Sequence, residues 1–385
     1  MTLPIRIMTR DFQLVCEIKK YSSLQITNSW HGIGIMELHI NRYIENADKL
    51  KSGYIIFPHN RLNKGCEIKE RKVAVDENGK ATEDWIITAL PLKSWFGQNI
   101  TMPPEDFAED SFSGDAESVM HHYAVSQAIN PADPNNKLPI VEGSNLGRGM
   151  QVEWQSRYKN LAGEMTEVST LSGIGWNIDI DTENEEFVFN TYEGRDLTAN
   201  QDIYPPAIFS TDFKTLKELS FVESSLNYKN VAVVAGQGEG IDRRIVLAGD
   251  LDAAGLDRHV LFVDARDISE KTDGRNPVPL PPEVIEEKLR NRGLQKLAEH
   301  RQELYLEGQV LSKSKLVYGI DYDLGDLVTL QKRDWGVTTD VRITEVKEIY
   351  EPGNTGIELT FGNSRPTLIS KIKEQLSGMR TEMTR

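Results

Sequence analysis

Three groupings in this chain carry residue types and spacings that could do chemistry. The first is Gly236-Gln237-Gly238-Glu239-Gly240, directly after the β-prone run Val231 to Ala235. A strand followed by alternating glycines can cradle a dinucleotide pyrophosphate, provided a helix begins at once and turns its N-terminal N–H groups toward the phosphates. Here the chain continues Ile241-Asp242-Arg243-Arg244-Ile245-Val246-Leu247-Ala248, which reads as a second strand. The glycines, with Gly238 at their centre, are therefore expected to form a hairpin tip that binds no nucleotide. The second grouping is Asp179, Asp181, Glu183, Glu185 and Glu186. A calcium loop needs a glycine at its sharp turn and a terminal glutamate at fixed spacing, and both are missing, so an acidic hairpin tip is expected. The third is the histidines. His121 and His122 are adjacent and point about 100° apart on a helix, which prevents shared ligation of one metal. They are expected as solvated helix residues. His31 and His59 fall in turns, and His39 falls on the solvent side of a strand, none with a cysteine or carboxylate at ligand spacing.

No catalytic constellation remains, since the sequence has no G-x-S-x-G elbow, H-E-x-x-H helix, CxxC pair or phosphate-binding P-loop. The two cysteines, Cys16 and Cys66, do not make a disulfide framework. No catalytic, cofactor or metal residue is assigned. A carboxylate dyad could still be hidden among 59 acidic residues, because such dyads are defined in space rather than in sequence. A carbohydrate-active or cell-wall-degrading enzyme, or a binding protein with β domains, is therefore the alternative to a structural role. The net charge of −15 disfavours gripping nucleic acid through its phosphates, yet it suits a surface past which DNA slides. At 385 residues with 39% hydrophobic content the chain can bury several cores, and no apolar run is long enough to span a membrane. The opening MTLPIRIMTRDF has no export-signal pattern, so synthesis and assembly in a cytoplasm are expected.

The elements that position these residues are mostly strands. Leu327 to Leu330 is a β-prone run opened by Gly325-Asp326, and Val341 to Thr344 and Ile357 to Phe361 alternate apolar with polar. The last two flank a turn at Glu351 to Gly356 containing Gly353, and the strand run closes at Gly362. An earlier stretch has the same layout: Gly53 opens Tyr54 to Phe57, and a hairpin from Cys66 to Ala89 reverses at Asp76-Glu77-Asn78-Gly79. The spacing suggests a duplicated β module. Ile35, Glu37 and His39 alternate with Met36, Leu38 and Ile40, as expected of a half-buried strand.

Between the two modules, a proline- and acid-rich stretch near residue 100 marks a boundary. A helix capped by Asp115 is expected after it, then a second helix carrying Tyr158, Leu161, Met165 and Val168 and stopped by Gly173 or Gly175. A hairpin from Trp176 to Asn190 follows. A third helix should start with Pro281 or Pro282 in its first turn and carry Ile285, Leu289, Leu297 and Leu304 on one stripe, with Gly293 on that stripe packing closely against a neighbour. Leu306 to Leu316 reads as a strand. The expected organisation is an α+β, β-rich chain: residues 1–105 a first β-barrel module; 106–215 a middle α+β domain; 216–275 with 318–365 a second β-barrel module, part of 216–235 being open to the first; 276–317 a helix-strand insertion; 366–385 a basic helix and tail.

In their order, WHGIGIMELHI, the hairpin around DENG, LSGIGWNIDID, YEGRDLT, FSTDFKTLKEL, YKNVAVVAGQGEG, YGIDYDLGDLVTL, VRITEV and LTFGNSRPTL make the chain similar to the siphovirus-type phage tail hub family. That family comprises baseplate hubs and the hub portion of tail-associated lysins. The resemblance implies two β-barrel modules per chain with inserted α+β domains, and a homotrimer forming a pseudo-sixfold ring at the tail tip or baseplate of the virion. It implies as partners a distal tail protein ring, the C-terminus of the tape measure protein and tail fibre, spike or receptor-binding proteins, with phage DNA passing through the lumen. It implies no cofactor. Larger members carry a lysin after the hub, whereas this chain stops soon after Arg365, so no wall-degrading extension is expected.

Overall fold

The computed structural model describes residues 3–59, 61–73, 83–272, 277–311 and 314–362. The Gly79 turn and the basic helix expected over 366–385 lie outside them. Seven strands make the N-terminal half: β1 (Ile5–Met8), β2 (Leu14–Ile18), β3 (Ser23–Ser29), β4 (Ile35–Asn41), β5 (Ile55–Pro58), β6 (Cys66–Lys72) and β7 (Asp84–Pro91). The alternation read in β4 holds, with Met36, Leu38 and Ile40 buried beside Ile26 and Ile87. A middle unit follows, with β8 (Asp110–Asp115), α1 (Ala116–Ala124), β9 (Val141–Glu142), β10 (Gln151–Ser156), α2 (Leu161–Ser172), β11 (Gly175–Asp181) and β12 (Glu186–Tyr192). Asp115 caps α1 by accepting from the Ser118 N–H at 2.8 Å, and Gly173 ends α2 at φ 79°. Tyr158 lies outside α2, at φ 52°.

Next come β13 (Asp196–Leu197), β14 (Ile208–Phe209) and β15 (Leu216–Ser224), then β16 (Val231–Ala235), β17 (Ile245–Gly249), β18 (Val260–Asp264) and α3 (Pro282–Ala298). The chain closes with β19 (Glu303–Val310), β20 (Leu327–Lys332), β21 (Val337–Glu351) and β22 (Asn354–Gly362). Strands β16 to β18, grouped by sequence with the second β module, form their own three-stranded sheet, roofed by α3 through Ile285, Leu289 and Leu297. Leu304 is not on that stripe. The helix ends at Ala298, and Leu304 pairs with Glu223 in β19, which stops at Val310 rather than Leu316. Among the described residues, no helix is long and apolar enough to cross a membrane.

The fold is a β-rich mixture of strand and helix built around one 14-stranded sheet. Its main path runs β15-β19-β22-β21-β3-β4-β7-β6-β5-β1-β2, with β20 on β21 and the short β13 and β14 on β20. Among the described residues no ladder closes this sheet on itself, so the two expected barrels are replaced by one open, continuous sheet. The physical reason is β21. Its 15 residues outrun the 6 of β20, and the excess, Glu345 to Tyr350, pairs antiparallel with Ser29 to Leu24 of β3.

Candidate assembly site

The two halves of the sheet repeat one topology. In the first the antiparallel order is β3-β4-β7-β6-β5, and in the second it is β15-β19-β22-β21-β20, with strands taken in the same chain order each time. Finer details coincide as well. Gly53 and Gly325 sit two residues before β5 and β20 at φ 85° and 92°. The Gly53 N–H donates to the Ile68 carbonyl at 2.9 Å and the Ile68 N–H returns to Tyr54; the Gly325 N–H donates to Ile343 at 2.8 Å and the Ile343 N–H returns to Asp326. Each receiving strand then bulges at the same step, between Ile68 and Glu70 in β6 and between Ile343 and Glu345 in β21. A shared bulge fixes local twist and strand direction, so the two halves bend alike.

The joint between the halves is polar and buried. Glu348 of β21, fully buried, is contacted by Lys64, by Arg61 at 2.9 Å and by the Tyr350 hydroxyl at 2.6 Å. Lys64 also lies 4.6 Å above the Tyr318 ring, and burial pulls its ammonium below the usual lysine range although Glu348 opposes this. Next to the joint, Trp30 is where four glycine-bearing motifs converge. A Cβ on Gly175 would stand 2.5 Å from its ring, and one on Gly325 would stand 2.0 Å away, so only glycine lets both backbones lie against the indole. Its Nε1–H donates to the Gly173 carbonyl at 2.9 Å. Gly194 abuts Gly325, and Asp326 secures that turn by accepting from the Arg195 backbone N–H at 2.8 Å and its guanidinium at 2.6 Å. A cleft of about 260 Å³ beside Trp30 is lined by Trp176, Tyr192, Asp323 and Lys93. Lys93 is buried and donates to the carbonyls of Ser29 and Trp176 at 2.7 and 3.3 Å, and burial lowers its pKa to about 7. This geometry makes Lys93 a staple between β3 and β11 rather than a nucleophile aimed at the cleft.

The sheet face turned away from the core is acidic. Glu218, Glu307, Glu345 and Glu358 line one open groove with Thr27 and Lys347 across β15, β19, β22, β21 and β3. Lys347 reaches Glu358 at 3.6 Å and is the one cation lining it among the described residues.

The remaining residues singled out from sequence lie elsewhere. Gly238, at φ 100°, turns the chain between the antiparallel β16 and β17, and Arg243 donates to the carbonyls of Ala235 and Gly236 across that tip. Gly293 on α3 faces the β16–β17 sheet, where a Cβ would meet Val234 at 2.7 Å and Ala248 at 2.8 Å. Gly353, at φ 81°, makes the β21–β22 turn, and Gly362, at φ 89°, ends β22. Asp181 accepts from the Glu183 and Asn184 N–H groups at 2.9 and 3.1 Å, holding the acidic hairpin tip. His121 is buried rather than solvated: it meets Glu142 at 2.8 Å and packs on Phe189, while His122 turns to Asp110 at 2.7 Å. His31 is also buried, against Ser169 at 2.7 Å, where burial lowers its pKa to about 3 and leaves the ring neutral. Among the described residues no group of three or more His, Cys, Asp or Glu side chains is placed to hold a metal.

A continuous sheet of two matching halves, carrying small α/β units, is a fold this chain shares with prophage tail proteins. The 43 kDa tail protein of prophage MuSo2 from Shewanella oneidensis superposes with a TM-score of 0.54 at 10% identity, covering 93% of this chain and 98% of that one. The tail protein from Neisseria meningitidis MC58 gives 0.53 at 11%, covering 93% and 95%. Prophage tail protein gp18 from Listeria monocytogenes EGD-e gives 0.51 at 13%, covering 98% and 99%. No curated protein sequence matches the chain. Residues 4–363 match the siphovirus ReqiPepy6 Gp37-like proteins, and the chain belongs to that family.

Proposed function

We propose that the protein is the tail hub: three copies close a ring at the tail tip or baseplate, each supplying two β modules, so that six equivalent sheets meet the tail tube. The observation that carries this reading is the repeated strand order with its repeated bulge, β3-β4-β7-β6-β5 and β15-β19-β22-β21-β20. A chain that is internally twofold in sequence order, taken three times, matches a sixfold tube without a symmetry mismatch. The acidic face bearing Glu218, Glu307, Glu345 and Glu358 lines the lumen, where like charge keeps passing DNA from adhering. On this reading the outer partners are a distal tail protein ring on one side and fibre, spike or receptor-binding proteins on the other, with the tape measure C-terminus in the lumen. The role is non-enzymatic.

Light scattering on the purified chain should give about three times 43.5 kDa, and a particle map should show the acidic face inward. A dimer, or a lumen lined mainly by Lys and Arg, would overturn the proposal.

A further inference from the structure

The joint inside the chain is a template for a joint between chains. Within one copy, the part of β21 beyond its bulge pairs with β3: Glu345 with Ser29, Val346 with Asn28, Lys347 with Thr27 and Glu348 with Ile26. Aligning the halves by their bulges and ladder partners makes Glu70, Arg71, Lys72 and Val73 the counterparts of Glu345 to Glu348. The same alignment, through β4 and β19, makes Ser224, Glu223, Val222 and Phe221 the counterparts of Ser29 to Ile26. Among the described residues, the corresponding edges of β6 and β15 have no strand beside them.

We infer that Glu70 to Val73 of one copy pairs antiparallel with Phe221 to Ser224 of a second copy of this chain, in the register that β21 and β3 use within the chain. This rests on the ring reading above and names its contact. The side chains agree with the register. Arg71 falls opposite Glu223, and Val73 falls opposite Phe221. Val73 and Phe221 are 47% and 39% exposed, whereas their counterparts Glu348 and Ile26 are 0% and 1% exposed inside the intrachain joint. Two apolar side chains left open at the positions that the intrachain joint buries are what a missing neighbour would cover. The contact is head-to-tail, the β6 edge of one chain on the β15 edge of the next, and such contacts close only as a ring.

The test uses the full chain with Val73→Cys and Phe221→Cys together, in a Cys16→Ser background because Cys16 is partly exposed; Cys66 is buried. Residues directly opposite in an antiparallel pair have Cα atoms about 4.5–5.5 Å apart, within disulfide range. Mild oxidation should give covalently linked trimers on a denaturing gel, and each single variant should give none. Arg71→Glu or Glu223→Arg should weaken trimers about a hundredfold, roughly fivefold at each of three joints, and the two together should restore them. A trimer by light scattering that does not crosslink overturns this joint and leaves the ring reading standing. A link formed within one chain overturns the joint as well. A chain that stays monomeric or dimeric at every concentration overturns the ring reading, and the joint with it.

Discussion

Replacing Gly293 by alanine isolates the contact between α3 and its sheet. In an exposed helix this change would stabilise by about 1 kcal/mol, through helix propensity alone. Here the new Cβ stands 2.7 Å from Val234 Cγ2, 2.8 Å from Ala248 Cβ and 3.3 Å from Ala232 Cβ. Ala248 has no torsion that moves its Cβ, and Val234 is β-branched and stiff at χ1, so the helix must lift by a few tenths of an ångström. Overpacking of this kind costs about 1–3 kcal/mol, and two contacts this short place it near the upper end. The net expectation is a loss of about 1–2 kcal/mol, confined to β16, β17, β18 and α3. Val234→Ala opens the space the new methyl needs, so the double variant should recover about 1 kcal/mol relative to the sum of the singles. The six tryptophans, at 30, 85, 95, 154, 176 and 335, all lie outside this unit, so fluorescence would miss the change. Native-state hydrogen exchange of amides 231–249 reads it directly, as a roughly tenfold loss of protection. Unchanged or increased protection, or strict additivity in the double variant, would refute the reasoning.

Other expectations follow from the joint. Glu348→Ala strands Lys64 and Arg61 beside a vacated site and should cost about 3–5 kcal/mol in urea unfolding, whereas Lys64→Met with Glu348→Leu should be close to neutral. Lys93 has a pKa of about 7 in the folded chain against 10.5 in the unfolded one, so between these values the unfolded chain binds more protons. Stability should therefore rise by about 2 kcal/mol as pH climbs from about 7 to 9, and Lys93→Met should flatten that slope; a slope that survives the substitution refutes the assignment. Gly53 and Gly325 share a positive φ but differ in surroundings. Gly53→Ala should cost about 1 kcal/mol of strain, and Gly325→Ala, pressed into Trp30 at 2.0 Å, about 4 kcal/mol; equal losses in thermal unfolding would be the contrary result.

Local features of this fold were legible because their causes are local. Burial on one side of β4 imposes its period of two, Asp115 and Gly173 end their helices by chemistry read at single positions, and the strand after Gly240 rules out a phosphate-binding helix. The layout around Gly53 and Gly325 was legible for the same reason. What closes the structure was not. Pairing of Glu345 with Ser29 leaves no trace in the residues around either, and the expectation of separate barrels fails there. His121 reads as solvated once shared metal ligation with the adjacent His122 is set aside, yet it shares the buried face of α1 with Glu117, which Arg148 neutralises. Lys93 and Lys64 carry no local sign of burial at all. Leu304 keeps helical spacing with Leu297, but β19 offers it a ladder instead.

The length of chain between the two partners of the intrachain joint also sets an order of events in synthesis. β3 is complete once Ser29 has emerged, and its partner begins at Glu345. At about 5–20 residues per second, the ribosome needs roughly 15–60 s to make the stretch between. During that time the N-terminal half holds an uncovered strand edge for which the matching strand of a sibling chain is an equally good complement, so crowded translation favours strand-exchanged chains. A fragment broken anywhere before Glu345 lacks the strand that would cover that edge from within its own chain.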